Sequence, residues 1–195
     1  MHPFSFATTA QLICEPGSSR RLASLCKERG ARSVLVVTDP GITRFGLLNE
    51  VLPGFESEGL AVAIYDQVIA DPPEHIVMTA VEQARAVGAD LIIGFGGGSS
   101  MDVAKLVALL AHPACAQSLQ DIYGVGNAKG QRLPLIQVPT TAGTGSEVGR
   151  ASVITDDAAH IKRIIFHARM LPALVILDPE LTLGLPAKIT AATGM

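Results

Sequence analysis

The sequence predicts an α/β fold: a parallel sheet with helices on both faces and an added β-hairpin. Three observations predict it. Short apolar runs rich in β-branched residues alternate with segments of helical periodicity, the pattern that builds parallel sheets. The runs are continuously apolar rather than polar at every second residue, as expected of strands covered on both faces. Small, hydroxyl and acidic residues recur just after the runs, at 39–41, 70–72, 96–99, 139–146 and Asp178. In open parallel sheets, ligands bind beyond the carboxyl ends of the strands.

Residues 18–29 predict an amphipathic helix, with Leu22, Leu25 and Cys26 at helical spacing and Gly30 as its stop. Residues 34–37, Val-Leu-Val-Val, are a strand that ends in Thr38-Asp39-Pro40-Gly41. Residues 44–58 are helix-like, with Pro53-Gly54 as a break, and 60–65 form a second strand. Residues 73–87 form a helix with Pro73 near its first turn and Gly88 at its end. Residues 89–95 are a third strand and 99–111 a further helix, and strands follow at 133–138 and 174–177. Residues 151–155 and 161–166 flank a polar turn, a hairpin signal, expected antiparallel to the main sheet or as a flap beside it.

Composition excludes several classes. The chain has 195 residues, a net charge of -3 and no run of like charges, so nothing points to nucleic acid or an anionic membrane. No stretch supplies the ~20 apolar residues of a membrane span. The N-terminus has no basic region leading into an apolar core, so no signal peptide is expected. Cys14, Cys26 and Cys115 are far apart and odd in number, which fits three buried reduced thiols in a cytoplasmic protein. Charged residues make up 17%, against roughly 25% in ordinary soluble domains, which suggests a face covered by another domain or a second subunit of a homo-oligomer.

Three loops carry candidate chemistry. Gly94-Phe95-Gly96-Gly97-Gly98-Ser99-Ser100-Met101-Asp102 turns from a strand into a helix. Glycines there let a ligand approach the main chain, and a helix N-terminus suits a diphosphate. The alternative is a plain turn in which Ser99 caps the helix and Asp102 completes a capping box. Asp39 is either the first residue of an Asp-Pro-Gly turn or an acid for ribose hydroxyls. The loop 139–147 packs Thr140, Thr141, Thr144 and Ser146 with two glycines, groups able to grip phosphate, ribose or a carboxamide.

Together these loops resemble the iron-containing (group III) alcohol dehydrogenases. The matching residues are 38–41, Gly96 to Ser99 with Asp102-Val103-Ala104-Lys105, 139–147, and the tail from Val175-Ile176-Leu177-Asp178-Pro179 to Thr193-Gly194-Met195. The resemblance implies a Rossmann-like, dinucleotide-binding domain over residues 1–185, with 186–195 starting a C-terminal helical metal domain that is otherwise absent. It implies NAD as cofactor and a small alcohol or aldehyde as substrate. Asp39 would hold the adenosine ribose. Gly96, Gly97, Gly98 and Ser99 would hold the diphosphate, with Asp102 toward the nicotinamide. Thr140, Thr141 and Thr144 would line the cofactor, Gly149, Ala151 and Lys162 would face its nicotinamide half, and Leu181 would flank the adenine. Lys162 is alternatively a solvated strand lysine. Ser100 replaces a frequent proline and Gly149 a frequent threonine. The metal ligands are expected after Met195, so Fe2+ or Zn2+ belongs to the full-length enzyme, and this chain alone is expected to be inactive. Two alternatives stand beside this: a stand-alone nucleotide-binding or self-associating module, and a glycerol-type dehydrogenase.

Overall fold

The computed structural model describes residues 7–194. Met195, named above, lies outside them, as do residues 1–6 of the N-terminal stretch. A parallel six-stranded sheet, in spatial order β1-β9-β6-β4-β2-β3, forms the centre. Its strands are β1 (Leu12–Cys14), β2 (Ser33–Val37), β3 (Ala61–Tyr65), β4 (Leu91–Gly96), β6 (Leu135–Pro139) and β9 (Leu174–Leu177). The strands expected at 34–37, 60–65, 89–95, 133–138 and 174–177 are all present, within two residues at each end. β1 is new. Its three residues pair with Val175 to Leu177 at the sheet edge, too short a run to show a period.

β4 and β6 are buried along their whole length. Helices cover both faces. One core packs α4 (Glu74–Ala86) and α5 (Gly98–Leu110) against Leu35, Val37, Ile92 and Leu135. The other packs α1 (Leu22–Glu28) and α3 (Leu52–Ser57) against Val34, Val36, Ile93 and Ile136. Side chains of adjacent strand residues point to opposite faces, which is why both faces need apolar residues. α5 is buried nearly all round, Met101 and residues 103–110 included.

Two helices differ from expectation. Residues 18–21 form a 3-10 turn, and α1 begins only at Leu22. The span 44–58 holds not one helix but the end of α2 (Pro40–Arg44) and all of α3. Gly46, with φ +72°, follows α2, and Pro53 stands in the first turn of α3, where its missing N–H costs nothing.

The hairpin forms as expected between β7 (Ala151–Thr155) and β8 (Lys162–Phe166). It is a flap in its own sheet, completed by the two-residue β5 (Gly124–Val125) running parallel to β8. The Asp156 carboxylate accepts from the amides of Ala158 and Ala159 and closes the turn. The last helix, α6 (Ala187–Gly194), lies in the tail. No helix among the described residues is long and apolar enough to cross a membrane.

Candidate functional site

The chain runs from β2 outward to β3, then returns to the other side of β2 as β4. The connections therefore leave the ends of β2 and β4 in opposite directions, and a crevice opens between them. The residues just beyond those ends are Asp39 and Gly97. The Thr38 hydroxyl donates to the Phe95 carbonyl at 2.7 Å and locks the two strand ends together beneath the crevice. On the far side of β4, the Thr140 amide donates to the Gly96 carbonyl at 3.0 Å and sets the start of the threonine-rich loop.

Asp39 performs the turn role and keeps an oxygen free of it. Its Oδ1 accepts from the amides of Gly41 and Ile42, at 2.9 and 3.2 Å, and caps α2. Its Oδ2 faces the Ser100 hydroxyl at 3.4 Å, across the crevice.

Gly96 and Gly97 are glycines for different reasons. Gly96 has φ +146°, and a Cβ there would sit 2.9 Å from Ser100 Oγ, so the protein's own backbone requires it. Gly97 has φ -80°, and a Cβ there would meet nothing nearer than Thr141 Oγ1 at 3.9 Å. The protein itself leaves that space open.

Gly97, not Ser99, is the N-cap of α5, and no side chain caps the helix. The capping box therefore does not form. Met101 N donates to Gly97 O, so the amides of Gly98, Ser99 and Ser100 precede the first helical bond and carry the positive end of a 13-residue helix.

Two clefts meet here, and Asp39 and Gly97 line both. The smaller, about 430 Å³, runs under Val68, Ile69 and Ala70, along Gly98, Ser99 and Ser100. The larger, about 930 Å³, has Thr140 and Thr141 on one side and apolar walls that include Ile42, Phe45, Leu181 and Ile189. Thr141 Oγ1 is buried without a hydrogen-bond partner among the described residues, an orphan of the kind a bound polar ligand relieves.

Asp178 stands at the larger cleft but is fully engaged. It is 3% exposed. It accepts from the amides of Gly17, Ser19 and Glu180 and, at 2.5 Å, from the Ser19 hydroxyl. Burial alone would raise its pKa, but the Ser19 hydroxyl and these amides outweigh it and hold the carboxyl below its ordinary range.

The remaining candidates divide. Thr144 lies against Gly98, its Cγ2 3.2 Å from where a Cβ would be, and its hydroxyl accepts from Ser146 N. Gly149 backs onto the Gly145 carbonyl, and Ala151 offers its own carbonyl to Lys105. Lys162 stands outside the lining of both clefts and is paired with Asp71 at 2.8 Å. Asp71 has φ +51° and directly follows the cleft residue Ala70.

Asp102 spends its carboxylate within the protein. Oδ1 accepts from Lys105 Nζ at 3.0 Å and Ser146 Oγ at 2.5 Å, and Oδ2 from Val153 N at 2.9 Å. The structure adds Lys105, which in the sequence stands out only as part of the Asp102-Val103-Ala104-Lys105 motif. The signal was present: one lysine inside the otherwise apolar 103–110. Burial pulls its ammonium below the ordinary lysine range, against the opposing pull of Asp102.

Among the described residues, no group of three or more His, Cys, Asp or Glu is placed to hold a metal ion.

A family model described as iron-containing alcohol dehydrogenase matches residues 9–179. A 4-hydroxybutyrate dehydrogenase from Cupriavidus necator is 42% identical over 92% of this chain and 47% of its own length. Long-chain-alcohol dehydrogenase 1 of Geobacillus thermodenitrificans is 38% identical over 92% of this chain and 45% of its own. Among solved structures, a 1,3-propanediol oxidoreductase superposes with a TM-score of 0.94 at 32% identity, covering all of this chain and 50% of that one. A sulfoacetaldehyde reductase from Bifidobacterium kashiwanohense, solved in complex with NAD+, superposes at 0.88 with 29% identity, over all of this chain and 51% of its own. The chain thus spans about half the length of the curated relatives it matches. With a switch-point crevice, an uncapped glycine-led helix and this match over most of its residues, the chain belongs to the iron-containing alcohol dehydrogenase family.

Proposed function

We propose that this chain binds NAD(H) and is the cofactor-binding part of an alcohol dehydrogenase acting on a small aliphatic alcohol or aldehyde. Residues 1–185 would be the dinucleotide-binding unit and 186–195 the start of a helical one. The carrying observation is Gly97: an open space at an uncapped helix N-terminus, beside Asp39, at the switch point of the sheet. The relatives' names, covering a long-chain alcohol, 4-hydroxybutyrate and 1,3-propanediol, support the substrate class.

The residues present fit the dinucleotide. The amides of Gly98, Ser99 and Ser100 suit a diphosphate. Asp39 Oδ2 suits the ribose hydroxyls and repels a phosphate in their place. Thr141 Oγ1 gains the partner it lacks, and Leu181 offers an apolar wall to the adenine. The other end of an extended dinucleotide then lies past Thr144, on the side of Gly149, Ala151 and Lys162. NAD, when bound, supplies the acceptor for the alcohol's hydride. The chain's own part is to bind it, orient it and hold water away from one face. Fe2+ or Zn2+, and turnover with it, are proposed for a full-length enzyme of about twice this length, as in the curated relatives. The thiols of Cys14, Cys26 and Cys115 are unpaired, which agrees with the cytoplasm. Only Cys26 is buried, however, Cys14 being exposed at the sheet edge and Cys115 half-buried in a loop. Exposed Val125 and Ile164 agree with a homo-oligomer.

Titrating the chain into NADH and following nicotinamide fluorescence tests the proposal. Saturable binding is expected, with NADPH weaker. Asp39→Ala is expected to raise the NADH Kd roughly 30-fold, about 2 kcal/mol, through loss of charge-assisted bonds. It should also cost about 1 kcal/mol of stability as the α2 cap is lost. A wild-type chain that binds no NADH refutes the assignment.

A further inference from the structure

Lys105 is the fully buried cation among the large side chains of the core. An ammonium without water is expensive unless every proton is bonded. Here all three are. Nζ donates to Asp102 Oδ1 at 3.0 Å, to Ser146 Oγ at 2.8 Å and to the Ala151 carbonyl at 2.6 Å. Asp102 answers from one turn earlier, accepting from Ser146 Oγ and from Val153 N, while its carbonyl accepts from the Ser152 hydroxyl at 2.9 Å.

These bonds join three separate pieces of chain. Lys105 and Asp102 are on α5, whose N-terminus holds the open Gly97. Ser146 ends the threonine-rich loop, and Ala151, Ser152 and Val153 begin the hairpin flap. The loop's start, Thr140 and Thr141, lines the larger cleft, whereas Ser146 and Ala151 line neither cleft. The network therefore fixes the end of the loop and the base of the flap, outside the lining of both clefts. Neither Lys105 nor its Nζ faces open space.

We propose that Lys105 is a positioning residue for the nicotinamide half of the cofactor: with Asp102 it holds the 144–151 segment in register with the α5 N-terminus, and it touches no ligand itself. This rests on the NAD(H) assignment above. It goes further in dividing the site into an adenine end, set by α2 and the 178–189 segment, and a nicotinamide end, set by a buried ammonium. The charge matters because three acceptors converge on one point, and no neutral side chain of that shape supplies three donors.

The test measures two ligands on the same protein: ADP, which reaches only the adenine end, and NADH, which spans both. Lys105→Met keeps the length of the side chain and removes the donors. It is expected to weaken NADH about tenfold or more, to leave ADP within about twofold, and to reduce the fluorescence enhancement of bound nicotinamide. General damage to the fold would weaken both ligands together. Should Lys105→Met not fold, Ser146→Ala removes one arm of the network at a half-exposed site. It is expected to weaken NADH several-fold but not ADP, with Ser146→Thr restoring binding by restoring the hydroxyl. Equal losses for ADP and NADH, or none for either, overturn the proposal. A wild-type chain that binds ADP but gains nothing from the nicotinamide half also overturns it, while leaving the nucleotide site standing. A wild-type chain that binds neither removes the NAD(H) assignment and this proposal with it.

Discussion

Gly97→Ala is expected to abolish most NADH binding while leaving the protein folded. Beyond its chain neighbours, the added methyl would lie no closer than 3.9 Å to the atoms around it, and the backbone, at φ -80°, accepts alanine. Stability should fall by only about 1 kcal/mol or less, the cost of replacing glycine at an N-cap. The methyl instead fills the space at the head of α5 where a diphosphate must approach the amides. Losing that approach removes several charge-assisted bonds, and the Kd should rise about 100-fold, or roughly 3 kcal/mol. Fluorescence titration with a parallel thermal melt separates the two effects. Unchanged NADH affinity would mean that the open space at Gly97 has no ligand to explain it. The same substitution at Gly96 is a useful contrast. Its φ of +146° and its 2.9 Å approach to Ser100 Oγ predict a loss of stability whatever happens to binding.

Asp178→Ala is expected to give the largest loss of stability, about 3 kcal/mol at neutral pH, because buried donors are left without an acceptor. For a chain of this size that lowers Tm by roughly 10 °C. The donors are the Gly17 and Ser19 amides, the Ser19 hydroxyl and the Glu180 amide, so the loss also loosens the turn at Ser18–Arg21 and the floor of the larger cleft. The effect should depend on pH with a definite sign. Burial opposes ionisation, but the Ser19 hydroxyl and the amides prevail and lower the folded pKa. Asp178 therefore stabilises the protein above its unfolded pKa of about 3.9, and the contribution fades as pH falls through the lower folded value. Denaturant melts of wild type and Asp178→Ala should differ widely at neutral pH and converge in acid. A constant difference across that range would assign the effect to lost packing rather than to the carboxylate.

Much of the fold was legible because its signals are local. A continuous β-branched run such as Val34-Leu35-Val36-Val37 carries its own evidence of burial on both faces, and the structure buries all four. The loops after β2, β4 and β6 stood out by composition, and Gly41, Gly97, Gly98, Thr140 and Thr141 there line the clefts. Elements whose existence depends on distant partners were not legible. β1 is a strand only because β9 lies beside it, and β5 only because β8 does. The capping box failed for a related reason. Ser99 and Asp102 have the right spacing, but Ser146, Lys105 and Val153 compete for the Asp102 carboxylate and win it.

By itself the sequence determined the class of the fold, the succession along the chain of its longer strands and helices, and which loops carry small, hydroxyl and acidic residues, since periodicity and turn chemistry are written between near neighbours. Only the tertiary structure decided that Asp39 and Gly97 share one crevice, that Gly97 rather than Ser99 heads α5, and that Lys105 ties residues 41 and 46 positions away to that helix. Strand order and burial are set by contacts between segments far apart in the chain. The free energy of a buried charge depends on which of those segments arrive beside it, and no local pattern contains that information.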